Sequence, residues 1–170
     1  HKFENKPYLW QKINNKYESH SWREIFNKVC KIALSLKSLG VLEGDRVLLV
    51  SENRPEWLIS DLAIMAVGAI TVPAYITSTS SDYDYIISHS QVRAAIISND
   101  SLTQKVLPAI EKAPKCKALI KINEDNIKYD NPVGIFSWNK LLDENNEKDF
   151  NFLESIKTIQ RNDVACIIYT

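Results

Sequence analysis

Glycine-rich turns between a strand and a helix hold nucleotide phosphates in many enzymes, because small residues let backbone N–H groups approach the ligand. The chain has four glycines in 170 residues. Gly40 and Gly44 lie after a predicted helix and before a predicted strand, which is the wrong side for cradling a phosphate. Gly68 and Gly134 stand alone. The sequence therefore contains no dinucleotide-binding turn.

Side chains that act in nucleophilic or acid–base catalysis are present but have no supporting pattern. His20 and His89 lack a serine in a Gly-x-Ser-x-Gly setting, so no Ser-His-Asp triad is indicated. We interpret His89 as structural, because a histidine near a helix end commonly serves the last carbonyl groups and the helix dipole. Glu52, Glu56 and Asp61 include a pair at helical spacing. A glutamate in a first turn is better explained by the helix dipole than by catalysis.

The three cysteines also favour structural roles. Cys30, Cys116 and Cys166 are odd in number, far apart and without Cys-x-x-Cys spacing. This pattern argues against a disulfide framework and against a zinc site, and it indicates a reducing cytoplasm. Cys166 lies in the apolar run 165–169, which predicts a strand with a buried and inert thiol.

The composition is typical of a soluble globular domain, with 45% apolar and 25% charged residues. Lys plus Arg and Asp plus Glu both number 21, so no basic field attracts nucleic acid or anionic lipid. The apolar stretch 62–74 is interrupted by Gly68 and Pro73 and is too short to span a membrane. Small-molecule chemistry fits these properties. Because the chain starts at His1 and not at Met, we expect it to be processed, tagged or excised from a longer protein.

Ser21 and Glu24 have the spacing of a capping box and predict a helix start. Apolar residues follow at three-and-four spacing, and Gly40 suits a left-handed C-terminal cap. The predicted buried stripe comprises Trp22, Ile25, Phe26, Val29, Ile32, Ala33, Leu36 and Leu39.

Short apolar runs then alternate with helical segments. Strands are predicted over residues 46–51, 69–72, 94–98, 118–122 and 165–169, and helices over residues 101–113 and 137–142. Two further helices are predicted, one capped by Asn53 with Pro55 in its first turn and Trp57 in the core, and one capped by the last serines of the polar loop 77–81. Looser polar segments occupy residues 123–131 and 143–151.

The alternation of strands and helices predicts an α/β fold, a layered αβα arrangement around a mostly parallel sheet. Residues 1–20 are predicted as an amino-terminal arm or hairpin. Residues 21–170 are predicted as one α/β portion.

Several motifs in order resemble the acyl-adenylate-forming superfamily. They are Ser21-Trp-Arg-Glu24, Leu-Gly-Val-Leu-Glu-Gly-Asp-Arg-Val at residues 39–47, Glu-Asn-Arg-Pro-Glu-Trp at 52–57, and Ala-Val-Gly-Ala-Ile-Thr-Val-Pro at 66–73. Residues 75–90 and 94–97 resemble the long-chain acyl-CoA synthetase branch in particular. Residues 162–170 resemble the strand that leads, in this family, into a Thr-Ser-Gly-Thr-Thr-Gly-x-Pro-Lys loop. Thr170 matches the first position of that loop.

The resemblance implies that the chain is the amino-terminal segment of an ATP-dependent, AMP-forming long-chain fatty acid:CoA ligase, truncated before the phosphate loop. Such enzymes join a carboxylate to the α-phosphate of ATP, release pyrophosphate, and transfer the acyl group to the thiol of CoA. ATP, Mg²⁺ and CoA are implied for the parent enzyme. None is expected to bind tightly to this segment, which we expect to be inactive alone.

The same resemblance places Thr170 at the ATP phosphates and Tyr75 and Thr77 beside the substrate cleft. It assigns no catalytic residue and no metal ligand within the chain. For residues 75–79 an ordinary loop with a helix cap is the alternative.

Other functions stay open beside the fatty acid ligase. They are an adenylate-forming ligase for medium-chain, aryl or amino acids, and a non-catalytic binding or dimerisation module. Exposed apolar surface where the rest of the parent docks predicts self-association. The parent enzyme is also compatible with peripheral membrane contact and with a homodimer.

Overall fold

The computed structural model describes residues 3–123, 133–145 and 150–170. It begins with an antiparallel hairpin of β1 (Pro7–Ile13) and β2 (Lys16–Ser21). Asn14 and Asn15 form the two-residue turn with φ of 47° and 64°, a left-handed conformation that asparagine tolerates better than most residues. Tyr8 stacks on Trp22 with ring centroids 3.7 Å apart. The first residues thus form a hairpin that packs against the following helix.

Helix α1 (Trp22–Ser38) starts and ends as predicted. The Glu24 N–H donates to Ser21 Oγ at 3.2 Å, and the Ser21 N–H donates to Glu24 Oε2 at 2.6 Å, which completes the capping box. Gly40 follows the helix with φ of +80°. Trp22 and Phe26 were predicted to be buried, but they are 47% and 48% exposed. The hairpin and a later helix cover only part of these rings at the amino end of α1.

The main sheet has five parallel strands in the order β4-β3-β5-β6-β7, which confirms the predicted α/β class. The strands are β3 (Arg46–Val50), β4 (Ile70–Pro73), β5 (Ala94–Ile97), β6 (Ala118–Lys121) and β7 (Gly134–Ser137). The remaining helices are α2 (Pro55–Ala66), α3 (Ser80–Ser90), α4 (Asp100–Glu111), α5 (Trp138–Glu144) and α6 (Phe152–Ile156).

The central strands are buried on both faces, as their near-continuous apolar sequences require. Leu49 and Ile96 pack on the face covered by α1 and α2. Leu48 and Ile97 pack on the opposite face, which α3 and α4 cover. Alternate residues of each strand therefore hold the two helix layers to one sheet.

Several boundaries differ from the sequence prediction. Helix α2 follows Arg54 and not Asn53, and no side chain caps it. Helix α3 is capped by Thr79 and not by the later serines. Trp57 is only partly buried, although it packs against the core. Strand β7 and helix α6 were not predicted. Of the two polar segments at 123–131 and 143–151, residues 124–131 and 146–149 lie outside the described residues.

Residues 165–169 form a single parallel bridge, between Cys166 and Thr71 of β4, and not the predicted full strand. Ala165 accepts from the Thr71 N–H at 3.1 Å, and the Ile167 N–H donates to the Thr71 carbonyl at 2.9 Å. We refer to residues 165–170 as the terminal segment. It extends the sheet beyond β4 by one point of pairing.

Candidate functional site

Ligands of open parallel sheets bind outside the carboxyl ends of the strands, where the strand order reverses. Here the chain passes from β3 to β4 on one side and returns with β5 on the other, so the reversal lies between β3 and β5. The Asn99 side-chain amide donates to Glu52 Oε1 at 2.8 Å at this point. Arg54 donates to Asn123 Oδ1 and to Glu56 Oε2, both at 2.7 Å. We call these five residues the switch-point network.

A buried ion pair closes the same edge of the sheet. Lys121 ends β6 and pairs with Asp100, which begins α4, and the two side chains are 7% and 13% exposed. Asn99 also caps α4 by accepting from the Leu102 N–H at 3.0 Å. These groups satisfy one another and hold a helix start, so we interpret this edge as structural.

The acidic residues considered for catalysis are engaged in structural contacts. Glu52 and Glu56 belong to the switch-point network. Asp61 accepts from the Thr71 hydroxyl at 2.7 Å, which ties α2 to β4. Of the three, only Glu56 lies in the first turn of α2, the position that the sequence interpretation explained by the helix dipole.

The loop of residues 74–78, between β4 and α3, presents polar and aromatic groups to solvent. Tyr75 is 69% exposed and Thr77 is exposed. A hydrogen bond from the core anchors the loop backbone: the hydroxyl of the fully buried Tyr83 donates to the Tyr75 carbonyl at 2.7 Å. Burial, with a smaller contribution from the Asp82 carboxylate, raises the pKa of Tyr83 to about 12, so its hydroxyl stays protonated and keeps donating.

Helix α3 starts directly after this loop with a second capping box. The Thr79 N–H donates to Asp82 Oδ2 at 2.7 Å, and the Asp82 N–H donates to Thr79 Oγ1 at 3.3 Å. The backbone hydrogen bond from Thr79, followed by that from its hydroxyl, lowers the pKa of Asp82. The cap fixes where the loop ends and the helix begins.

The far end of α3 contacts the terminal segment through an aromatic cluster of Tyr85, His89 and Tyr169. The rings of Tyr85 and His89 stack with centroids 5.6 Å apart. Tyr169 stands edge-on to both rings, and its hydroxyl lies 2.8 Å from His89 Nδ1. His89 was predicted to serve the last helix carbonyls, but it bonds instead to a tyrosine 80 residues away. The sequence carries the helical spacing of Tyr85 and His89, but no local signal for Tyr169.

Cys166 corrects a second prediction about the terminal segment. It was predicted to be buried and inert, but its side chain is exposed. The reason is that the segment lies outside β4 with one bridge, so only alternate residues contact the core. Ile167 and Tyr169 pack against the face that α3 and α4 cover, whereas Ile168 is exposed.

Thr170 is exposed, and its hydroxyl forms no hydrogen bond within the described residues. No hydrogen bond, ion pair or ring contact joins it to Tyr75 or Thr77 in that part of the chain. The structure therefore places these candidates on two segments that both border α3, and among the described residues no hydrogen bond, ion pair or ring contact links them.

Three surface grooves lie away from Tyr75, Thr77 and Thr170. The first is lined by the carboxyl end of α3 and by residues 109–115, and the second by residues that precede β3 and β4 together with residues of the stretch 159–165. These two lie at the amino edge of the sheet, where parallel sheets rarely bind ligands. The third lies between β1 and the start of α2, where residues 9–12 face residues of the stretch 53–58.

The described part of the chain brings no three His, Cys, Asp or Glu side chains together as a metal site. It also has no helix that is both long and apolar enough to cross a bilayer.

A model of the AMP-binding enzyme family matches residues 1–170. The chain is 28% identical over 160 residues to long chain acyl-CoA synthetase 3 of Arabidopsis thaliana, an alignment that covers 91% of this chain and 24% of that protein. It is 37% identical over 99 residues to the long-chain-fatty-acid–CoA ligase FadD15 of Mycobacterium tuberculosis, covering 58% of this chain and 16% of that protein.

The solved structure of the coronafacic acid ligase from Pectobacterium brasiliense is similar in fold to this chain, with a TM-score of 0.75. The two sequences are 20% identical, and the alignment covers 89% of this chain and 29% of that chain. The chain thus spans less than a quarter of the length of the two curated relatives. Since the family model matches all 170 residues, this chain belongs to the AMP-binding enzyme family, as its motifs predicted.

Proposed function

We propose that this chain is the amino-terminal part of an AMP-forming long-chain fatty acid:CoA ligase. The observation that carries the proposal is the family match over residues 1–170, together with relatives named as long-chain acyl-CoA synthetases along 91% of the chain. The order of strands and helices supports it, because the fold is that of an adenylate-forming ligase.

The proposed reaction has two steps. A fatty acid carboxylate oxygen attacks the α-phosphorus of ATP, and the bond to the leaving pyrophosphate breaks. The thiol sulfur of CoA then attacks the acyl carbon of the mixed anhydride, and AMP leaves. Mg²⁺ would offset the charge of the polyphosphate. No residue of the described chain is assigned to that ion.

In this proposal the described residues place substrates and do not perform the chemistry. The hydroxyl of Thr170, which is exposed and makes no hydrogen bond within the described residues, suits a phosphate oxygen, because it can donate a hydrogen bond to it. Tyr75 and Thr77 are proposed to border the substrate cleft, and their exposure on the loop that Tyr83 anchors supports this. Free Cys30, Cys116 and Cys166 support a cytoplasmic enzyme.

Fatty-acid-dependent exchange of radiolabelled pyrophosphate into ATP tests the proposal in the complete protein. A C16 fatty acid, aryl acids and amino acids are compared as substrates at equal concentration. We expect exchange with the fatty acid, followed by CoA thioester formation when CoA is added. Activation of amino acids or aryl acids alone would contradict the choice of substrate.

Calorimetry with the 170-residue chain tests where the ATP site lies. We expect no measurable binding of ATP to the 170-residue chain, because its residues contain no glycine-rich phosphate loop. Tight binding would mean that a nucleotide site lies elsewhere in these residues.

A further inference from the structure

The contact between His89 and Tyr169 holds the end of the terminal segment, residues 168–170, which backbone hydrogen bonds do not hold. The last backbone hydrogen bond between the terminal segment and β4 is the one from the Ile167 N–H to Thr71, at 2.9 Å. Among the described residues, none involves the backbone of residues 168–170. The side chain of Tyr169 therefore supplies the attachment closest to Thr170.

The direction of the terminal segment makes this attachment relevant to Thr170. Alternate residues of an extended chain point to opposite sides. Ile167 and Tyr169 pack towards α3 and α4, whereas Cys166, Ile168 and Thr170 are exposed. Holding Tyr169 against α3 consequently turns the Thr170 side chain towards solvent.

The aromatic cluster restrains both the position and the rotation of Tyr169. Its ring meets those of Tyr85 and His89 at 89°, with centroids 5.9 and 5.7 Å away, the edge-to-face arrangement that aromatic pairs prefer. Its hydroxyl is fixed by His89 Nδ1 at 2.8 Å, whichever of the two groups donates. Tyr85 and His89 stand one helical turn apart and support each other by stacking.

The same helix also holds the other candidate segment. Tyr83 lies on the buried side of α3 and donates to the Tyr75 carbonyl at 2.7 Å. Helix α3 therefore bonds to the 74–78 loop through Tyr83 and to the terminal segment through His89. It sets the distance between the two segments.

We propose that His89 is a positioning residue for ATP: through Tyr169 it sets the place of Thr170, where the phosphate-binding segment begins. The inference rests on the proposed function. His89 does not contact the substrate, so its loss should weaken ATP capture more than it slows turnover of bound ATP. The KM for the fatty acid should not change.

The test uses the complete enzyme with four variants. His89→Phe keeps the stacked ring without Nδ1, and Tyr169→Phe removes the hydroxyl. The double variant combines both, and His89→Asn returns an amide near the place of Nδ1. Ser88→Ala is the matched control, because Ser88 lies on the same turn and its hydroxyl donates, among the described residues, to the Tyr85 carbonyl alone.

We expect each single phenylalanine variant to raise the KM for ATP about five-fold, the size of one net hydrogen bond, with kcat within about two-fold. The double variant should be no worse than either single one, and His89→Asn should recover most of the loss. Calorimetric Kd values for ATP without fatty acid should follow the same pattern. Hydrogen exchange of the peptide that contains residues 165–170 should be faster in the phenylalanine variants.

Two results would overturn the inference while leaving the proposed function intact. One result is that the wild-type enzyme shows fatty-acid-dependent exchange while the phenylalanine variants have the same KM and Kd for ATP as the wild type. The other is an equal loss for both substrates with a lowered Tm, which would indicate general destabilisation. A wild-type enzyme without fatty-acid-dependent exchange would instead overturn the proposed function.

Discussion

Two regions along the carboxyl edge of the sheet use their polar groups differently. In the switch-point network and the adjacent Lys121–Asp100 pair, which we call the closed region, the polar side chains bond to one another. Around β4 and the terminal segment, which we call the open region, Tyr75, Thr77 and Thr170 are exposed. Topology alone points to the first region as the ligand site. The side chains favour the second, because there polar groups remain available to a ligand.

The largest expected effect comes from breaking the closed region. Lys121→Met removes the cation that pairs with the nearly buried Asp100 carboxylate, and we expect a loss of about 3 kcal/mol in the free energy of unfolding. Adding Asp100→Asn should restore part of it, since the carboxylate that has lost this cation is then replaced by a neutral amide. Urea unfolding measures both. A loss below about 0.5 kcal/mol for Lys121→Met would show that the pair is not structural.

A smaller effect is expected where the open region is anchored. Tyr83→Phe removes the hydroxyl that holds the Tyr75 carbonyl, and we expect a loss of about 1 kcal/mol at pH 7. The unfolded tyrosine ionises near pH 10.0 and the folded one near 12. The stabilisation is thus complete below pH 10 and is lost as the pH rises to about 12, so the gap between the two proteins should shrink over that range. A gap independent of pH would contradict the burial of Tyr83.

The reaction rates of the three cysteine thiols test whether the terminal segment is exposed, and no change in stability is needed for this test. Burial raises the pKa of Cys30 and of Cys116 to about 11, whereas Cys166 is exposed on the terminal segment. We expect one thiol of the native 170-residue chain to react rapidly with a disulfide reagent at pH 8, and two to react slowly. Cys166→Ser should remove the rapid phase. A rapid phase that survives this change would place the segment elsewhere.

Local sequence patterns predicted helix α1 and the central strands well. The Ser21–Glu24 capping box and the Gly40 cap each depend on a few neighbouring residues, and the structure has both. The apolar runs of β3, β5 and β6 predicted a buried parallel sheet, because strands covered on both faces need such sequences.

The structure of the terminal segment was less predictable from the sequence, because it depends on contacts between residues that are far apart in the chain. Cys166 looked buried in an apolar run, yet the run lies outside an edge strand with a single bridge. The partner of His89 is 80 residues away, so no local pattern indicates it. The roles of Thr170, Tyr75 and Thr77 come from family motifs alone and stay predictions.

ATP affinity of two variants of the complete enzyme, measured side by side by calorimetry, tests the account most directly. Thr170→Val removes the exposed hydroxyl of the open region. Asn99→Ser removes the bond to Glu52 in the closed region while keeping a capping oxygen for α4. We predict that Thr170→Val raises the Kd for ATP at least about ten-fold, as expected for a hydrogen bond to a charged phosphate, and that Asn99→Ser leaves it within about two-fold. The reverse pattern would place the nucleotide at the switch point and contradict the account.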